Sequence, residues 1–140
     1  MNMPATEMRS VVVEREFPVP AEKIWRALTQ PHLIEEWLMK NDFKPAVGHR
    51  FNLRGDWGAV DCEVRAAEPT KVLSYTWDAM GLKSVVTWTL TPTGSGTRLR
   101  MEQTGFRKDQ PRYYHGAKGG WPRFLANLEQ VLERVEEPCR

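Results

Sequence analysis

Five stretches between Gly48 and Thr104 alternate apolar and polar residues with a period of two. Phe51 and Leu53 oppose Arg50, Asn52 and Arg54. Val60, Cys62 and Val64 oppose Asp61, Glu63 and Arg65, while Leu73, Tyr75 and Trp77 oppose Ser74 and Thr76. Val86, Trp88 and Leu90 share one side of the fourth stretch. In the last, Leu99, Met101 and Gln103 oppose Arg98, Arg100 and Glu102. Turn-forming runs at Arg54–Gly58, Glu68–Lys71 and Thr91–Gly96 separate several of these stretches. Period-two patterning broken by short turns predicts an antiparallel meander with one wet face and one face that must be covered.

The cover is predicted at the C-terminal end. Trp121, Phe124, Leu125, Leu128, Val131, Leu132 and Val135 fall at helical spacing. A helix over about Ala117 to Glu136 would be roughly 30 Å long, enough to cross a sheet. Upstream, the β-branched run in Met8–Phe17 reads as a strand that Pro18 and Pro20 end. Pro20 opens a short helix with Ile24, Trp25 and Leu28 on one face; Pro31 opens another with Leu33, Ile34, Trp37 and Leu38. The expected fold is therefore α+β. It has a six-stranded curved antiparallel sheet, two short helices after strand 1, and a long C-terminal helix packed across the sheet. The 140 residues suit one domain, residues 1–140, with residues 1–7 frayed and 117–136 as the long helix.

Composition narrows the function. A net charge of +2 does not suit nucleic acid. No apolar run reaches the ~20 residues that span a bilayer, so stable membrane insertion is not expected. The polar, mixed-charge opening is not a signal peptide, and two thiols, Cys62 and Cys139, make no disulfide framework. A cytoplasmic protein, monomer or homodimer, is expected. His32, His49 and His115 have no metal-ligand spacing, so no metal and no cofactor are expected. No Gly-x-Ser-x-Gly or other catalytic constellation occurs, and no catalytic residue is assigned.

Several motifs carry a family resemblance. Pro20-Ala-Glu-Lys-Ile-Trp-Arg-Ala-Leu-Thr-Gln-Pro31, followed by Trp37, Gly48 and Phe51, resembles the START-like helix-grip superfamily (SRPBCC). Leu73-Ser-Tyr-Thr-Trp77, Val86-Thr-Trp-Thr-Leu90, Gly96-Thr-Arg-Leu99, Thr104-Gly-Phe106 and Gly120-Trp121 resemble the activators of heat-shock-protein-90 ATPase, C-terminal domain type. The resemblance covers about residues 8–135. It implies a helix-grip fold, a ligand-sized hydrophobic cavity and a possible chaperone partner in a stress response.

Six Trp in a chain of this length suggest an aromatic-lined hollow between a straight helix and a curled sheet. Trp57 belongs to this aromatic set. The candidate lining is Trp25, Trp37, Phe51, Leu53, Tyr75, Trp77, Trp88, Met101, Gln103, Phe106, Tyr113, Trp121, Phe124 and Leu125. His115 is a possible polar anchor. Arg107–His115 reads as a loop that could gate the hollow, and Gly116–Gly120 as a hinge at the start of the helix. The function expected is binding of a small hydrophobic or aromatic molecule. The alternatives are a cyclase- or hydrolase-type enzyme using the same cavity, and a stress-response co-chaperone.

Overall fold

Val11, Val13 and Phe17 lie toward the interior from β1 (Met8–Phe17), while Val12 stands out to solvent. That is the alternation of a half-buried strand. The computed structural model describes residues 8–56, 58–79 and 81–134. Pro20 takes the N-cap of α1 (Ala21–Thr29). Pro31 is the first residue of α2 (Pro31–Trp37), where a missing N–H costs no helical hydrogen bond. The indole of Trp37 donates to the Ala27 carbonyl at 2.8 Å and ties the two short helices together.

The remaining strands are β2 (Lys40–Asn41), β3 (Arg50–Gly55), β4 (Gly58–Glu68), β5 (Val72–Ala79), β6 (Leu82–Pro92) and β7 (Thr97–Arg107). They form one antiparallel sheet with β1, in the order β1-β7-β6-β5-β4-β3-β2. The sheet thus has seven strands, not the six expected. The additional strand, β2, pairs Lys40 with Arg54 and Asn41 with Leu53. Two residues cannot display a period, so nothing in the pattern announces it. Its place is held by the Asn41 amide, which donates to the carbonyls of Pro31 at 3.1 Å and Met39 at 3.0 Å.

A bulge near the end of β7 matters for the site. Arg9 pairs with Phe106 and Ser10 with Thr104, which leaves Gly105 as the extra residue. Gly105 has φ +112°, and a Cβ there would stand 2.7 Å from the Lys83 carbonyl oxygen. Only glycine suits both conditions. The extra residue shifts the alternation by one, so Phe106 turns inward and is fully buried.

α3 (Pro111–Arg134) is 24 residues long, about 36 Å. It begins six residues before the expected Ala117. Pro111 holds its first position, the one place in a helix where proline fits without loss. The segment Arg107–His115 is therefore not one loop: Arg107 ends β7, and Pro111–His115 are helical. Gly116–Gly120, expected as a hinge at the start of the helix, lies in its interior. Trp121, Leu125, Leu128, Val131 and Leu132 form its buried stripe, and the helix packs on α1, α2, β1 and β7. Burial of each such side chain contributes roughly 1.5–3 kcal/mol. The expectations for residues 1–7, Trp57, the helix end at 135–136 and Cys139 fall outside the described residues.

Candidate functional site

Between the first half of α3 and one end of the sheet lies a cavity of about 290 Å³. β5 contributes Trp77 and Ala79, β6 Leu82, and β7 Gln103 and Phe106. Met39, just before β2, adds to the wall. The helix side is made by Arg112, Tyr113, Gly116, Ala117, Gly120, Trp121 and Phe124. Arg112 and Gly116 are exposed, so the cavity reaches solvent along the helix. A Cβ built on Gly116 or Gly120 would meet no atom within 4 Å. The missing side chains at these positions are part of why the space exists.

One directional hydrogen-bond chain braces the wall. The Trp121 indole donates to Gln103 Oε1 at 2.7 Å. Gln103 Nε2 donates to Ser84 Oγ at 2.9 Å, and Ser84 Oγ donates to the Trp77 carbonyl at 2.8 Å. An indole nitrogen can only donate, so this chain decides which end of the Gln103 amide is oxygen. Gln103 is 1% exposed, and the chain satisfies polar atoms that would otherwise be costly to bury. Its partners are side chains, whereas a buried glutamine is more simply expected to bond to backbone.

Of the expected lining, the structure brings Trp77, Gln103, Phe106, Tyr113, Trp121 and Phe124 together around the cavity. The others stand elsewhere. Trp37, Phe51, Leu53, Tyr75, Trp88, Met101 and Leu125 are buried in the packed core, and Trp25 is half-buried against it. Their rings interlock: Trp37 meets Trp88 edge-on at 5.6 Å, Phe51 meets Tyr75 at 5.3 Å, and Trp88 meets Trp121 at 5.7 Å. Such edge-to-face contacts fill the hollow over that part of the sheet. His115 is exposed on α3 and is not part of the wall; its ring lies 5.4 Å from that of Tyr114.

Met39, Ala79, Leu82, Arg112, Gly116, Ala117 and Gly120 were not foreseen as lining. Leu82 continues the alternation of β6 two positions beyond Ser84, a signal that was present. Arg112 and the glycines gave none while their segments read as a loop and a hinge.

Two groups have displaced acidities, and neither lines the cavity. Burial pushes the Cys62 thiol well above its ordinary value, and the carboxylates of Asp61, Asp78 and Asp42 add to the effect. Burial also pushes the Tyr75 hydroxyl up, against the opposing effect of the Trp88 indole, which donates to it at 3.0 Å. Both stay protonated at neutral pH, the condition for an inert side chain rather than a nucleophile. Among the described residues, no group of three or more His, Cys, Asp or Glu is placed to hold a metal ion. Nor is any helix there long and apolar enough to cross a membrane.

The architecture and the motif order can now be set against known proteins. The family model described as "Activator of Hsp90 ATPase homolog 1-like protein" matches residues 18–133. The chain belongs to this family. Protein MLL2253 from Mesorhizobium loti is 65% identical, with a TM-score of 0.89 over 92% of this chain and 100% of that one. DynU16, from the dynemicin biosynthetic locus, is 26% identical with a TM-score of 0.81, over 89% of this chain and 47% of that one. CalU16 from Micromonospora echinospora is 25% identical with a TM-score of 0.79, over 94% of this chain and 81% of that one. No curated protein matches the chain. These solved structures share the overall fold of this chain.

Proposed function

We propose that this chain is a binding domain whose cavity takes a small apolar or aromatic molecule and leaves its bonds unchanged. The observation that carries the reading is the 290 Å³ space walled by Trp77, Phe106, Trp121 and Phe124. An apolar cavity of about 150 Å³ holds one benzene ring, so this space suits two fused rings or a chain of similar bulk. Burial of such a ligand contributes several kcal/mol at about 25 cal/mol per Å², before the entropy of association is subtracted. An enzyme would need titratable groups poised on the wall; the two displaced ones, Cys62 and Tyr75, sit in the core. The likeness to DynU16, from a biosynthetic locus, also suits a domain that handles small molecules.

The test is a titration of the purified chain with 2-acetonaphthone, a neutral two-ring ketone, followed by tryptophan emission. Trp77 and Trp121 stand on the wall, so saturable quenching at one equivalent is expected. Backbone amide shifts should cluster in residues 112–124 and around Trp77, Leu82 and Phe106. Linear, unsaturable quenching by this ketone and by a range of apolar compounds would contradict the reading.

The family's description supports a second reading, a chaperone partner bound through the outer surface. It predicts that the purified domain stimulates the ATPase of a heat-shock-protein-90 chaperone. An unchanged rate at saturating domain would dismiss it.

A further inference from the structure

The polar groups of the cavity wall are unequal in kind. Arg112 is the single charged residue on the wall, and no carboxylate lines it. Among the described residues Arg112 has no ion pair or hydrogen bond, although arginines elsewhere on the surface are paired, as Arg98 is with Glu16 at 2.9 Å. A further polar group of the wall is Gln103. Its Oε1 is taken by the Trp121 indole and one amide hydrogen by Ser84, which leaves one N–H without an acceptor among the described residues. That amide is 1% exposed, so solvent does not freely supply the missing partner. Both unspent groups are donors. The helix end adds to this: Arg112 and Tyr113 lie in the first turn of α3, which contains no acidic residue, and the nearby carboxylate of Asp109 is taken by Arg107 at 2.7 Å.

Resting on the reading of this cavity as a binding site, we infer that its ligand is an anion with an apolar body: a carboxylate carrying two fused rings or a chain of similar bulk. The carboxylate sits at the exposed rim against the Arg112 guanidinium, whose planar fork matches it bidentately. The apolar body enters between Trp77, Phe106, Trp121 and Phe124. An oxygen substituent on that body accepts from the remaining Gln103 N–H. A cationic ligand is excluded by the same arrangement, because it would bring like charge to Arg112 with no carboxylate on the wall to receive it.

The experiment compares 2-naphthoate with 2-acetonaphthone, which share a ring system and a carbonyl oxygen and differ in charge. Titrations at low salt are followed by tryptophan emission or calorimetry. The naphthoate is expected to bind about three- to tenfold more tightly. The ratio should shrink in 0.5 M salt, as a rim charge requires. In Arg112→Gln the ratio of the two affinities should fall to about one, and Arg112→Lys should keep part of the preference. Arg112 is exposed, so both variants are expected to fold, which their circular dichroism checks. Equal affinity of the two compounds for the unaltered chain, or a preference that survives Arg112→Gln, overturns the inference and leaves the cavity reading intact. Failure of both compounds to bind removes the cavity reading and this inference together.

Discussion

The two halves of α3 are built for different tasks. From Trp121 to Arg134 the helix presents a continuous buried stripe, and Leu125 and Leu128 are fully shielded from solvent. From Pro111 to Gly120 none of its residues is buried, and three of the ten are glycines. The boundary is marked by Pro122, whose missing N–H leaves the Lys118 carbonyl without its helical donor. The second half thus holds the fold together, while the first half roofs a space. A helix can continue across a region where only Tyr113, Tyr114 and Ala117 reach the core, and Gly116 and Gly120 leave the space beside them open.

The sharpest way to break this comparison is to truncate a side chain on each side of Pro122. Leu128→Ala should lower the unfolding free energy by about 3 kcal/mol, the cost of a buried leucine and the cavity it leaves. Tyr113→Ala, half-buried at the cavity rim, should cost less than half as much. Equal losses in urea denaturation would erase the distinction. Next in size is Gln103→Leu, which strands the Trp121 indole N–H and unties the wall from the helix. A loss of about 2 kcal/mol is expected; no loss would mean the chain of hydrogen bonds does not anchor the boundary. Hydrogen exchange should then show amides of residues 114–120 protected about tenfold less than those of 125–132, as thinly packed segments open first.

The smallest effect runs the other way. Gly119 has open space where a Cβ would go and is not on the cavity wall. Gly119→Ala should raise stability by about 0.5–1 kcal/mol through helix propensity alone, read as a higher melting temperature. A lower melting temperature would show that the glycines serve the backbone and not the space.

The same division explains what could be read before the structure. Alternation exposes which side of a strand faces inward, so the inward set Leu73, Tyr75, Trp77, Trp88, Leu99, Met101 and Gln103 was legible. It does not say whether an inward ring meets another ring or a void. Trp88 and Trp77 carry the same signal, yet one is wedged between Trp37 and Trp121 and the other also faces the cavity. The packed half of α3 was legible for the same reason, since its burial imposes a period. Pro111, Gly116, Gly119 and Gly120 are poor helix formers, and with no buried stripe to outweigh them the roof read as loop and hinge. Arg112, the charged group on the wall, was hidden with it. β2 was lost for want of length, because Asn41 is held by side-chain bonds and not by a pattern.

The central claim is that the glycine-lined roof preserves room for a guest. Gly120→Leu tests it most directly, with Gly119→Leu as the control on the same helix but off the wall. 2-Acetonaphthone affinity and melting temperature are measured for both. The account predicts that Gly120→Leu melts higher and loses binding by at least about tenfold, because the leucine occupies the space the ligand needs. It predicts that Gly119→Leu binds like the unaltered chain. Undiminished binding by a folded Gly120→Leu would contradict it.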